Sequence, residues 1–335
     1  MKKNRVELQK LLSELSASCQ HTPSPHPEVE TFLASATKGV SRQQIAAIHA
    51  AQAGDSTALD RVRHGRNTVC DLSDSTLQIE EFTVAGIPLR TYRKKGSNSG
   101  KDPVVLYLHG GGWTIGGINS CSRFCRDLAL ASSAEVIAPD YALAPEHPYP
   151  AALDDVLKLR EWLAWERSTC QLFLGGDSSG GNLAIASALR DPRKGCFPVG
   201  LILFFPVTTA WADHTLSWQQ YGDGYALDSD LMETFNKAYA PEVKCRQDEF
   251  ISPILSKNLG TLPPMLLITA QCDILHDQGQ TFARQVRNAG VPVLSNCYAG
   301  ASHLFISMPG MDVFFNRAVK DAVLFMNCLQ DGETI

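Results

Sequence analysis

Gln171-Leu172-Phe173-Leu174-Gly175-Gly176-Asp177-Ser178-Ser179-Gly180-Gly181-Asn182 is the stretch on which the fold turns. It opens with a strand-like apolar run, Gln171–Leu174, and from Gly180 to Arg190 the pattern is helical. Between them Gly176-Asp177-Ser178-Ser179-Gly180 fits G-x-S-x-G. In that pattern a sharp strand-to-helix turn lifts the serine hydroxyl above a sheet edge, and the flanking positions must lack bulk. The helix that follows aims its electropositive N-terminus at the same spot. Ser178 is therefore the candidate nucleophile. Ser179 is its rival, but the frame Asp177-Ser178-Ser179-Gly180-Gly181 lacks the leading glycine. A glycine-rich turn without chemistry fits the same letters, so the pattern needs partners.

Outward from this turn, short apolar runs alternate with helical patterns. The strands are Val104–Leu108, Glu135–Pro139, Gln171–Leu174, Val199–Pro206, Met265–Ala270 and 291–298. The helices fall near Ser120–Ala131, Ala151–Trp165, Gly180–Arg190, 278–289 and 312–329. A hairpin, Thr76–Val84 and Ile87–Arg93 around Ala85-Gly86, precedes the series. This alternation predicts an α/β fold with a mostly parallel central sheet and helices on both faces. Functional residues then gather outside the carboxyl ends of the strands. Two segments stand apart. Residues 28–64 read as helix, and 207–262 interrupt the alternation with Trp211, Trp218, Tyr221, Tyr225 and Phe235. Together they are expected to form a helical cap.

The partners exist. His109-Gly110-Gly111-Gly112-Trp113 directly follows the strand ending at Leu108, where an HGGG-type loop supplies backbone donors to an oxyanion. Gly111, Gly112 and the Ser179 N–H are the expected donors, and glycines let the main chain approach a substrate closely. No Lys-Ser/Thr follows the glycines, so a phosphate-binding P-loop fails. His109 is read as orienting the loop, and Trp113 as a substrate-binding wall or as packing. A serine hydroxyl needs a base. Downstream of Ser178 the histidines are His214, His276 and His303. His303 follows the strand 291–298 and precedes the last helix, the place for a base when the chain order is Ser, acid, His. Asp273, after the strand Met265–Ala270, is the expected acid, and Asp277 competes with it.

Composition narrows the rest. The chain has 335 residues, a net charge of −5 and ten cysteines. No Lys/Arg cluster marks a nucleic-acid footprint. No CxxC or zinc-finger spacing occurs, so no metal site is expected. The cysteines are expected to be free thiols, with Cys170, Cys297 and Cys328 as small core residues and a cytoplasmic location. Residues 5–16 suit an amphipathic helix, and polar residues such as Glu7 and Lys10 interrupt any signal-peptide core. The longest apolar run, Leu201–Pro206, is too short for membrane insertion.

Four motifs in order resemble the hormone-sensitive-lipase family of α/β-hydrolases, the group of bacterial acetyl esterases and arylacetamide deacetylase. They are His109–Trp113, Asp140-Tyr141-Ala142-Leu143-Ala144-Pro145-Glu146, Gly176–Asn182, and Asp273 with His303. The resemblance spans about residues 76–330. It implies the α/β-hydrolase fold, with residues 1–64 as an N-terminal cap segment and 65–335 as the catalytic domain, to which 207–250 contribute a cap insertion. It also implies cofactor-free hydrolysis of short to medium acyl-chain carboxylic esters through a Ser-His-Asp acyl-enzyme, with a small-molecule ester as partner and a possible homodimer. An amidase or deacetylase on the same machinery is the alternative. A non-catalytic receptor, as in the related plant gibberellin receptors, is another, although those lack a competent histidine at the position of His303. Three residues depart from the family: Ala142 stands where Arg is usual, Ser179 where Ala is, and Leu304 where Gly is common. The first is expected to leave Glu146 short of a partner. The last is expected to tighten the mouth of the pocket.

Overall fold

The computed structural model describes residues 24–36, 39–67, 72–97, 102–132, 134–167, 171–190 and 197–331. The amphipathic segment 5–16 and Cys170 lie outside the described residues. Eight strands form one sheet in the order β1-β2-β4-β3-β5-β6-β7-β8. These are β1 (Leu77–Val84), β2 (Ile87–Lys94), β3 (Val104–Leu108), β4 (Glu135–Pro139), β5 (Leu172–Asp177), β6 (Gly200–Phe204), β7 (Met265–Cys272) and β8 (Val293–Ser302). The β1–β2 hairpin and the β2–β4 pair are antiparallel, and the remaining pairs are parallel.

The middle strands are apolar throughout because both faces are covered, and the two-residue period of a strand sorts their side chains. Leu106, Leu108, Leu174 and Leu203 belong to the core shared with Leu153, Leu183 and Phe282. These three come from α5 (Ala151–Glu166), α6 (Ser179–Arg190) and α9 (His276–Asn288). Val105, Tyr107, Phe173 and Phe204 belong to the opposite core with Phe124 and Phe325. Those come from α4 (Ser122–Ala131) and α10 (Asp312–Gln330).

At the site, β5, β7 and β8 run further than the sequence predicts. β5 continues through Gly175 and Gly176, which pair by backbone with Tyr107 and Leu108 on one side and Ile202 and Leu203 on the other. β8 continues through Gly300 to Ser302, because a register shift between Ala270 and Cys272 brings Cys272 opposite Ser302. The catalytic-side residues therefore leave the sheet directly from strand ends.

The region read as helix over 28–64 is three helices: α1 (Pro27–Ala36), α2 (Val40–Gln52) and α3 (Thr57–Arg66). Gly39 (φ 79°) and Gly54 (φ 99°) bracket α2 in the left-handed region, where glycine carries no Cβ penalty. Residues 207–262 hold α7 (Leu216–Gln220), α8 (Ser229–Tyr239) and three single 3₁₀ turns. α2 packs on α8, with Ile48, Leu231 and Phe235 in one core. No described helix is long and apolar enough to cross a membrane.

Candidate active site

Ser178 occupies the turn between β5 and α6 with φ 54°, a left-handed conformation that is rare outside glycine. Its N–H donates to Phe204 O at 2.9 Å, and its carbonyl accepts from Asn182 N and Val207 N, both at 3.1 Å. These bonds hold the strained residue between two strand ends. Gly180 explains why the motif needs glycine: a Cβ there would lie 2.0 Å from Leu108 O. The α6 backbone can cross β3 only at that closeness.

Ser178, His303 and Asp273 come together although they are far apart in the chain. His303 Nε2 lies 3.1 Å from Ser178 Oγ, and His303 Nδ1 lies 2.7 Å from Asp273 Oδ2. Asp273 Oδ1 accepts from Leu275 N at 3.0 Å, which fixes the carboxylate against rotation. Phe205 packs on the imidazole with ring centroids 4.5 Å apart. With a carboxylate at Nδ1, the proton sits on Nδ1 and Nε2 is free to accept. The rivals are engaged elsewhere. Asp277 Oδ2 accepts from Ser217 N at 2.9 Å, His276 Nδ1 faces Cys297 Sγ, and His214 is exposed. Ser179 is fully buried and absent from the cavity wall.

The Gly110–Gly112 loop lies beside this relay. Gly111 has φ 127° and Gly112 φ 59°. A Cβ on Gly112 would meet the Phe235 ring at 2.2 Å. Among the described residues the Gly111 and Gly112 N–H groups make no hydrogen bond, and both residues line the cavity with Ser178. The Ser179 N–H is the first of α6, so no helical carbonyl can accept it. Three backbone donors are thus free at the serine.

Several contacts anchor the loop, and only those of His109 were anticipated. His109 orients it as expected: its Nδ1 lies 2.8 Å from Gly110 O, and its ring stacks on Tyr141 at 4.3 Å. Burial pushes its pKa down, keeping the imidazole neutral. The others were not read from sequence. Tyr141 Oη donates to His109 O at 2.6 Å, and Ala144 N donates to Trp113 O at 2.8 Å, so the Asp140–Glu146 motif clamps the loop. Asp177 Oδ1 accepts from Gly110 N and from Tyr107 Oη, each at 3.1 Å. Burial raises this carboxyl to about 6 against those bonds. Finally, Arg63 in α3 donates to both Glu146 oxygens, at 2.9 and 2.7 Å, and to the carbonyls of Thr114 and Ala144 at 2.9 Å. The Arg63 bonds hold the Glu146 carboxyl below its usual range. Glu146 is therefore not short of a partner: an arginine from a different segment takes the place of the one missing at Ala142.

A cavity of about 190 Å³ opens over Ser178 and His303. α1 to α3 contribute Phe32, Gln44 and Arg66, and the 207–262 segment contributes Leu231, Met232 and Phe235. Trp113 corrects a sequence expectation. It is fully buried and stacks face to face on Tyr239, with centroids 4.4 Å apart and planes 4° apart. It does not line the cavity. Its φ of 56° swings the indole behind the loop and into the core. Leu304 does line the cavity, with φ 75°. That left-handed conformation is a physical reason for glycine there, and the leucine instead adds an apolar wall. Among the described residues no group of His, Cys, Asp or Glu is arranged to hold a metal ion.

Known proteins resemble this chain in sequence and in fold. The profile of a family described as alpha/beta hydrolase fold matches residues 105–307. The chain belongs to the α/β-hydrolase family. Its likeness is to the hormone-sensitive-lipase-like esterases within it. An ethyl acetate hydrolase of Pseudomonas putida is 31% identical over 320 residues, covering 92% of this chain and 99% of that protein. An arylesterase of Saccharolobus solfataricus is 30% identical, covering 73% and 80%. Among solved structures, a thermostable esterase of P. putida ECU1011 superposes with a TM-score of 0.76 at 28% identity, covering 91% and 96%. A hyperthermophilic esterase of Pyrobaculum calidifontis gives 0.73 at 27%, covering 92% and 98%.

Proposed function

We propose that this α/β-hydrolase works as a serine carboxylesterase with Ser178 as nucleophile, His303 as general base and acid, and Asp273 as the group that orients the imidazole. The observation that carries the proposal is the unbroken relay of 3.1 Å from Ser178 Oγ to His303 Nε2 and 2.7 Å from His303 Nδ1 to Asp273 Oδ2. His303 removes the serine proton as Oγ attacks the ester carbonyl. The N–H groups of Gly111, Gly112 and Ser179 receive the developing oxyanion; one such donor contributes on the order of 3 kcal/mol. Protonated His303 then hands its proton to the leaving alcohol. Water, activated by the same imidazole, releases the acid. Asp273 stays ionised and stabilises the imidazolium.

Residues 27–66 and 207–250 act as the cap, supplying the cavity walls opposite the triad. The small cavity, about 190 Å³ against roughly 300–1,000 Å³ for typical ligand pockets, suits short acyl chains. The relative named for ethyl acetate supports the same reading. Cys121, just before α4, and Cys125, within it, remain unbridged four residues apart, which supports a reducing, cytoplasmic setting.

Ser178→Ala tests the assignment. With p-nitrophenyl acetate the variant should lose on the order of 10⁶-fold in kcat while keeping its circular dichroism spectrum. Unchanged turnover would remove Ser178 from the mechanism.

A further inference from the structure

Arg63 and Arg66 lie one turn apart on α3 and meet opposite fates. Arg63 has carboxylate and carbonyl oxygens at all three donor nitrogens. Arg66 lines the cavity together with Ser178 and His303. Its Nε is sealed from solvent with no hydrogen-bond partner. Its Nη1 donates to the Met308 thioether, a weak acceptor. Among the described residues no carboxylate forms an ion pair with it. Burial lowers its pKa while the nearby Asp177 carboxyl raises it, and a guanidinium so placed stays charged. A cation at a helix C-terminus is ordinarily favourable. That accounts for an arginine at the end of α3, but not for a guanidinium whose Nε is sealed from water without a partner and whose Nη1 meets only a thioether.

The same wall carries a second unpartnered donor. Gln44 of α2 is 8% exposed and lines the cavity. Its side-chain amide makes no hydrogen bond among the described residues. Triad, oxyanion loop and cap packing use neither group. A planar guanidinium with open donor positions is built for the planar, two-oxygen face of a carboxylate.

We propose that Arg66, assisted by Gln44, forms an anion subsite that selects esters bearing a carboxylate. The carboxylate sits in the acyl part, as in a half-ester of a dicarboxylic acid, or in the alcohol part, as in an acylated hydroxy acid. It takes no part in bond making: water and the ester still give acid and alcohol at Ser178. The inference rests on the ester-hydrolase reading above.

Matched substrate pairs test it at pH 7.5. In the acyl arm, mono-p-nitrophenyl glutarate is compared with its methyl ester. In the alcohol arm, 4-acetoxybenzoate is compared with its methyl ester. The native enzyme should favour the charged member by about tenfold or more in kcat/KM in one arm, and that arm reports where the carboxylate sits. The ratio should fall to about one in Arg66→Gln and recover in part in Arg66→Lys. Because each ratio is taken within one protein, a change in folded fraction cancels. Preference for the neutral member in both arms, or the native ratio surviving in Arg66→Gln, overturns the subsite and leaves the esterase reading intact. No turnover of any of the four esters by the native enzyme overturns both.

Discussion

The floor and the roof of the cavity are built in opposite ways. The floor is Ser178, His303, Asp273 and the Gly110–Gly112 loop, which lie at or beside strand ends and are tied in by hydrogen bonds of 2.7–3.1 Å. The roof is assembled from α1 to α3 and from residues 207–262, which meet through side-chain packing such as Phe235 against Gly112. In the proposed mechanism the floor carries the chemistry. In the same proposal the roof carries selectivity, and it is built from segments nearly two hundred residues apart in the chain. Chemistry and choice of substrate should therefore respond to different substitutions, and the variants below are ordered by how hard they strike the floor.

Asp273→Asn leaves the shape of the relay in place but favours the wrong imidazole tautomer. The expected cost is about 10⁴-fold in kcat, with KM little changed. A loss of KM alone would move Asp273 from the floor to the binding wall. Gly112→Ala acts at the seam between floor and roof. The new methyl falls within 2.2 Å of the Phe235 ring at a residue with φ 59°, so the loop must shift away from the oxyanion. A fall of about 10²–10³-fold in kcat is expected, as for loss of one donor. Gly112→Ala combined with Phe235→Ala relieves the clash but not the backbone strain, so rescue should be partial.

The smallest effect concerns Asp177, which ties floor to loop. Its folded pKa is raised to about 6 from 3.8, so the folded state holds the proton more tightly than the unfolded chain. Its contribution to stability is therefore full below about pH 4 and is lost as the pH rises through about 6. Asp177→Asn keeps an acceptor for Gly110 N and Tyr107 Oη without that loss. Denaturant titrations should show the variant gaining about 2 kcal/mol on the native protein between pH 4.5 and 7. A pH-independent difference would mean that the carboxyl does not titrate in this window.

The same contrast explains what the sequence could disclose. Local rules make the floor legible. A glycine pattern at a strand end marks Ser178, chain order marks Asp273 and His303, and β3 leads straight into the Gly110–Gly112 loop. The sheet was legible for the same reason, since continuous apolar runs announce buried parallel strands. The strand ends were not: Gly175 joins the ladder by backbone alone, and Gly300 sits in β8 at a register shift with its N–H on the Gln271 side chain. Long-range pairings were hidden altogether. Nothing local to Arg63 announces Glu146, eighty-three positions on. Nothing local to Asp177 announces that it anchors Gly110, although its place inside the serine motif was a usable hint. At Trp113 the sequence left wall and packing both open, and the backbone angle that turns the indole into the core decides for packing.

The central claim is that Ser178 is the one activated hydroxyl of the site and that its neighbour Ser179 serves through its backbone. A fluorophosphonate followed by peptide mass spectrometry tests this directly. The account predicts one phosphonyl group per chain on Ser178, with labelling lost in His303→Ala and retained in Ser179→Ala. A label on Ser179, or a label on Ser178 that forms equally fast without His303, would contradict it.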